Sequence, residues 1–285
     1  MKYLFNLLFI ILINTMSVYS QNQSLLWEVS GNGLESNSYL FGTIHITCNA
    51  SLSEKVQKAI TNTDQIVLEI DLDAPDTQAE FMQHMYMEGG KKVADILSEE
   101  EYQLINNLFI KNLGVNMDAM GPVKPYFLMA NLYPIWVNCT PQSIEGELLK
   151  IAQTSNKEIK GLETVFEQMS AFDKIPAEDF IADLVRSAKD NMAYDKKKYT
   201  ELLDFYAHEN IDALLENQKD ENYKSVSKHV SILIDDRNKT WIPRIIEMMK
   251  SKRSFFAFGA AHLAGDNGII SLLRNEGYTL TPIYD

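Results

Sequence analysis

The sequence predicts an α/β fold: a mixed central β-sheet with flanking helices and a large helical mid-chain insertion. Three observations carry this. β-favouring segments cluster near residues 25–70 and return near the C-terminus. The order strand, helix, strand between Ser38 and Ile70 calls for a parallel crossover, with both sheet faces covered and strand ends meeting at one rim. The stretch from Thr77 to Met249 is mostly helical in its hydrophobic spacing, interrupted by one short strand.

Leu25 to Val29 reads as the first strand, and Gly31-Asn32-Gly33 as a turn leading to a second, Ser38 to Gly42, so a hairpin opens the domain. Ser51 to Thr61 has the form of a helix, with Ser51 or Ser53 placed to cap it and Val56, Ala59 and Ile60 at helical spacing. Gln65 to Ile70 is an apolar strand ending in acids. Thr77 to about Ile110 is helical in pattern, and Ser98-Glu99-Glu100-Glu101 resembles a helix start whose acids suit the positive end of the dipole. Gly121 to Pro125 breaks the pattern, and Tyr126 to Val137 and Ile144 to Thr154 resume it with Met-rich and aromatic faces that read as core. Lys157 to Glu163 is a short strand delivering Glu163 at its end, followed by a helix through Met169. After the helical stretch from Ala177 to Met249 come a strongly β-favouring run, Ser254 to Gly259, a closing helix, Gly268 to Asn275, with Gly277 behind it, and a final strand, Tyr278 to Ile283.

The chain has 285 residues, 46% hydrophobic and 23% charged, which is ordinary globular composition with enough length for a substantial core. No Pro/Gly/Ser-rich linker divides it, so residues 21–285 read as one domain. Residues 1–20 differ in kind: Lys2, an apolar run from Tyr3 to Ile13, then Val18-Tyr19-Ser20, the layout of a signal peptide. Asn6 and Asn14 punctuate that run, which falls short of the about 20 apolar residues a bilayer span takes. The expectation is cleavage after Ser20 and an exported body, periplasmic or extracellular, with no integral membrane segment. The formal net charge of −13 excludes nucleic acid as a partner, because the basic clusters Lys196 to Lys198 and Lys250 to Arg253 are short, sit among acids and read as solvated helix faces. Cys48 and Cys139 are compatible with one disulfide in an oxidising compartment; Cys48, three residues after His45, also stands where a metal ligand is conceivable. Oligomeric state has no signal here.

Two segments end alike. Tyr39 to His45 and Phe256 to His262 each run as an apolar strand into Gly, then His three positions later. A strand that stops at Gly sets such an imidazole just beyond the sheet, where open α/β sheets bind their ligands. Either histidine alone is more often structural; the pair carries more weight. With Glu69 at a third strand end, His45, Glu69 and His262 make a reasonable ligand set for a catalytic divalent metal, which would polarise a carbonyl and acidify a water. The same residues without metal suit general base, orienter and acid. Both chemistries fit the residues. His84, His208 and His229 lie on polar helical stretches and read as surface residues.

The segments Tyr39 to His45, Leu68 to Asp71, Gly161 to Thr164 with Gln168, Arg237-Asn238, and Phe258 to Gly265 with Gly268 and the closing Leu272 to Tyr278 together resemble the TraB/GumN family, which includes the Tiki proteases, over nearly the whole chain after residue 20. The resemblance implies an α/β fold shared with erythromycin-esterase and ChaN-like proteins and, for the Tiki branch, metal-dependent peptide cleavage supported by manganese or cobalt. Carried over by position, His45 and His262 fill the two Gly-x-x-His histidines and Glu69 the strand-end acid, the three together as metal ligands. Glu163 fills the acid of the Leu-Glu-Thr segment, as ligand or general base. Arg237, with Asn238, fills the late polar pair; its fork suits an oxyanion or a substrate carboxylate, and an ion pair with Asp235, Asp236 or a neighbouring acid is an equal alternative. The chain departs from the family at Glu145, where relatives carry Asp.

The expected function is thus an exported metal-dependent hydrolase, a peptidase acting on a peptide or protein substrate. Two alternatives stand beside it: a non-catalytic protein holding metal, haem or peptide in the same cleft, and an esterase-like hydrolase without metal.

Overall fold

The computed structural model describes residues 23–284; the expected export signal over residues 1–20 lies outside them. Six strands form one mixed sheet: β1 (Leu26–Ser30), β2 (Ser38–Thr43), β3 (Gln65–Leu68), β4 (Glu158–Gly161), β5 (Ser254–Gly259) and β6 (Thr279–Pro282), in the spatial order β4-β3-β5-β2-β1-β6. β1 pairs antiparallel with both β2 and β6, whereas β2 with β5, β5 with β3 and β3 with β4 are parallel. The sheet is mixed because the opening hairpin reverses one strand and every later connection crosses over. The expected crossover between β2 and β3 exists, but β5 inserts between them, which residue spacing along the chain could not reveal.

Apolar residues on both faces make β2, β3 and β5 wholly or almost wholly buried, as crossover-covered strands are. Helix α1 (Glu54–Thr61) buries Val56, Ala59 and Ile60. The main core joins Trp27, Leu40, Ile66, Phe255 and Phe258 to Leu148, Trp241 and Ile245 from the helices.

Helix α2 (Thr77–His84) is short, and α3 (Glu99–Leu113) begins at Ser98, whose hydroxyl accepts from the Glu101 N–H while Glu101 answers to the Ser98 N–H. The helical run expected from Tyr126 to Val137 is instead two pieces, α4 (Pro125–Ala130) and a single turn, Tyr133–Trp136, with Pro134 in the first turn of the second. Then come α5 (Ile144–Ser155), α6 (Val165–Phe172), α7 (Ala177–Lys189), α8 (Ala193–Ala207), α9 (Ile211–Asn217), α10 (Asp236–Ser251) and α11 (Ile269–Asn275). A second core, away from the sheet, unites Ile105, Phe109, Leu128, Leu132 and Leu184 within the mid-chain helices.

Of the three histidines read as surface residues, His208 is exposed, but His229 is only 16% exposed and holds Asp179 at 2.9 Å. A carboxylate partner compensates its burial, and a partner on α7 fifty positions away leaves no mark in local sequence.

Candidate functional site

Four neighbouring parallel strands end at the same rim, and each is followed by one side chain read as functional: β2 by His45, β3 by Glu69, β4 by Glu163 and β5 by His262. Close backbone contact there explains two glycines. A Cβ on Gly42 would lie 2.9 Å from the Ala260 Cα, and one on Gly161 would lie 2.7 Å from the Asp71 backbone nitrogen. The rim is therefore drawn tight where the strands stop.

Glu69, Glu163 and His262 meet around Arg237, the second residue of α10. Arg237 Nη2 donates to Glu69 Oε2 and Glu163 Oε1, each at 2.6 Å, and Nε reaches both Glu163 oxygens at 3.1 and 3.3 Å. Its Nη1 donates to the Leu233 carbonyl at 3.0 Å and lies 3.4 Å from His262 Nε2. Leu233 belongs to a π-helical turn, Ser231–Asp235, that widens the entry to α10. Arg237 thus pairs with the strand-end acids and not with Asp235 or Asp236. Gln168 donates to both carboxylates at 3.2 and 3.1 Å, the Trp241 indole donates to Glu163 Oε2 at 3.0 Å, and the Gly259 N–H donates to Glu69 Oε1 at 2.8 Å.

His262 is fixed from behind. Asn238 spends its amide N–H groups on the carbonyls of His262 and Asn267, so its Oδ1, 2.6 Å from His262 Nδ1, accepts the ring proton and leaves the Nε2 lone pair facing Arg237. Trp241 packs on the same ring with centroids 4.6 Å apart.

His45 stands apart from this cluster. Its Nδ1 meets Glu145 Oε1 at 2.9 Å, and Thr43 Oγ1 donates to the same oxygen at 2.7 Å. Glu145 occupies the first turn of α5, and Ser143, the N-cap, donates to its other oxygen at 3.0 Å. With Nδ1–H directed at a carboxylate, the outward Nε2 is the chemically free nitrogen. Tyr199 and Tyr206 on α8 hold this loop through the carbonyls of Ile46 and Gly42. Beyond it, Cys48 and Cys139 form a disulfide.

The charges divide the site. For Glu69, burial pushes the pKa up, but Arg237 above all, then His262 and His45, hold it well below the usual carboxylate range. His262 is pushed down to about 3, first by burial and then by the Arg237 charge. Arg237 is raised: burial opposes its charge, and Glu69 and Glu163 outweigh burial. At His45, partial removal from water pulls downward, the bond and charge of Glu145 push upward, and the balance lies at about 9. With 71% of that side chain exposed, solvent screens each of these contributions, so the pairing weighs less here than at Glu69. Glu145 is lowered to about 2 by His45 and Thr43 against its own burial.

Among the described residues no three His, Cys, Asp or Glu side chains converge closely enough to hold a metal ion. Arg237 takes the space between the carboxylates instead. The donor types nonetheless suit a divalent cation, two imidazoles each with Nδ1 engaged by an oxygen acceptor and one carboxylate, although the His262 Nε2 faces Arg237, which would have to move aside. His45, Glu69 and His262 are the residues that would hold it.

Local signals for the supporting residues exist in hindsight. Tyr199 and Tyr206 are seven apart, two helical turns on one face, and Arg237, Trp241 and Arg244 follow at spacings of four and three. Arg244 completes that stripe, binding the Leu162 carbonyl and both Glu167 oxygens.

Comparison with known proteins finds relatives along most of the chain. The chain is 22% identical over 310 residues to a protein named metalloprotease TIKI2 of Xenopus tropicalis, covering 90% of this chain and 59% of that one. It is 21% identical over 321 residues to metalloprotease TIKI1 of Danio rerio, covering 93% of this chain and 64% of the relative. It is 21% identical to a TIKI homolog of Nematostella vectensis, over 90% of this chain and 66% of that one. The chain therefore spans about three-fifths of the length of the first two relatives. No solved structure matches it. Residues 25–282 match the TraB/PrgY/gumN family, and the chain belongs to that family.

Proposed function

We propose that this protein is a metal-dependent hydrolase of peptide-type acyl bonds that acts outside the cytoplasm. The observation that carries the reading is the delivery of two oriented imidazoles and two carboxylates by four adjacent parallel strand ends, the position where open α/β sheets place their ligands. Relatives named metalloproteases support it. The Cys48–Cys139 disulfide suits an oxidising compartment, as does the signal-like pattern of residues 1–20, and no helix among the described residues is long and apolar enough to cross a membrane.

A divalent cation, manganese or cobalt, held by His45, Glu69 and His262 would polarise the scissile carbonyl and lower the pKa of a water. The chain's own residues set the rest. Glu145 raises the His45 pKa and so favours the imidazolium, which would have to release a proton before the ring serves as a ligand or a base. Glu163, its side chain 4% exposed with both oxygens engaged, acts through Arg237. Arg237 fixes the orientation of Glu69 and Glu163.

A second reading, a binding protein without turnover, draws on Arg237 spending every N–H direction on protein partners. Metal content and peptide-library cleavage, measured on wild type, His45→Ala and His262→Ala with and without manganese and chelator, separate the two. Metal-dependent cleavage lost in both variants is expected. Full activity and metal content in His45→Ala would overturn the proposal, activity surviving exhaustive chelation would indicate the metal-free hydrolase, and ligand binding without cleavage would establish the binding protein.

A further inference from the structure

His45 and Glu145 come from distant parts of the chain, and both sit beside irregular segments. Cys48 follows His45 by three residues and Cys139 precedes Glu145 by six; their disulfide spans a sequence separation of 91 with Cα atoms 5.7 Å apart. Between the disulfide and the His45–Glu145 pair, Thr47 and Gln142 exchange two backbone hydrogen bonds of 3.0 and 2.9 Å, and the Gln142 side chain accepts from the Ala50 N–H at 3.0 Å. One residue past Gln142, Ser143 caps α5 and donates to Glu145. Disulfide, two-bond bridge, cap and carboxylate thus form one continuous path ending at the His45 ring. The tyrosines of α8 fix the other side of the His45 loop and make no contact with α5 through these bonds.

We propose that Cys48 and Cys139 are positioning residues: their disulfide holds the His45 loop and the start of α5 in register, so that the Nδ1–H of His45 meets Glu145 in the oxidised protein and loses it in the reduced one. This rests on His45 being a residue of the proposed hydrolytic site, but its geometry is independent of turnover. Cys48 is exposed, which leaves the bond open to a small thiol. Dithiothreitol would deliver two electrons and two protons, giving two cysteine thiols and its own cyclic disulfide.

The test is proton NMR of the whole chain, comparing oxidised wild type, the same sample after dithiothreitol, and the Cys48→Ser/Cys139→Ser variant. A His45 Nδ1–H bound to a carboxylate gives a downfield resonance, read at low temperature to slow its exchange with water and assigned by its loss in His45→Gln. The Trp241 indole proton, which donates to Glu163, reports the Arg237 cluster separately. The expected result is loss of the His45 resonance with the Trp241 resonance retained, and its return on reoxidation. If the peptidase reading holds, kcat falls about tenfold to a hundredfold, as for loss of other groups that orient a ligand, with KM little changed. Persistence of the His45 resonance in the reduced protein would overturn the proposal, leaving the disulfide a stabiliser only. Loss of both resonances on reduction would overturn it too, since the bond would then hold the whole fold. Should the double variant fail to fold, the dithiothreitol sample decides.

Discussion

Arg237 grips Glu163 through three contacts, Nη2 to Oε1 at 2.6 Å and Nε to Oε1 and Oε2 at 3.1 and 3.3 Å, while the same Nη2 holds Glu69 at 2.6 Å. Removing the guanidinium leaves two carboxylates facing each other out of water. Arg237→Met should therefore destabilise the fold by about 3–5 kcal/mol, the cost of breaking a buried pair from one side. Arg237→Lys should recover only part of this, because an ammonium lacks the planar fork that meets two carboxylates at once. Urea denaturation at pH 7 measures both; a loss below about 1 kcal/mol for Arg237→Met would mean that the cluster is well solvated.

Stability should peak near pH 6.5 and fall on both sides. His262 has its folded pKa lowered from 6.5 to about 3, so between those values the unfolded chain binds a proton that the folded chain refuses, and stability is lost as pH falls. Glu145, lowered from 4.5 to about 2, and Glu69, lowered further, add to the loss below pH 4.5. His45 works in the opposite sense. Raised from 6.5 to about 9, it contributes stability that is complete below 6.5 and lost as pH rises through 9, by a smaller amount because the ring is exposed. Thermal melts from pH 3 to pH 10 test this, and His45→Gln should flatten the alkaline limb and, by removing the partner that lowers Glu145, weaken the acid limb below pH 4.5, while the His262 contribution between 4.5 and 6.5 remains.

Gly42→Ala tests the tightness of the rim. The added methyl would meet Leu263 Cδ1 at 2.8 Å and the Ala260 Cα at 2.9 Å, and the second contact is backbone that cannot rotate away. The expected cost is about 1–3 kcal/mol of overpacking. A displaced Ala260 also moves the turn carrying His262, so any hydrolytic activity should fall by more than the unfolded fraction explains. An unchanged melting temperature would show that β2 and β5 have room to separate.

The strand ends at His45 and His262 were legible in sequence because Gly after an apolar run leaves a local mark, Glu69 because an apolar run stops in acids, and Glu163 because a short strand ends just before it. What joins them was not legible. Arg237 has acids beside it in the chain, at Asp235 and Asp236, yet its partners are the acids that follow β3 and β4, brought side by side by the parallel pairing of those two strands. Glu145 stood out as a departure from the family's Asp, and only the packing of α5 against the β2 end gives it His45 as partner. Helix and strand types followed from periodicity, whereas the break between α4 and the turn at Tyr133 needed the proline rule applied over apolar spacing.

Asn238 is the test of how His262 is held. It is fully buried, takes the His262 Nδ1 proton and donates to the carbonyls of His262 and Asn267. Asn238→Ala orphans all three groups and should cost about 2–3 kcal/mol, since buried polar atoms without partners bear their full desolvation. Asn238→Asp separates packing from charge. Its carboxylate still accepts from Nδ1 but turns a second oxygen toward two carbonyls, so stability at pH 7 falls. The new negative charge also raises the His262 pKa from about 3 toward 6.5, which narrows the interval over which the folded chain refuses a proton. The acid limb should therefore be flatter in Asn238→Asp than in wild type, although the variant is the less stable protein at neutrality. If the two acid limbs have equal slope, His262 is not the group that sets acid stability, and the carboxylates around Arg237 must carry it.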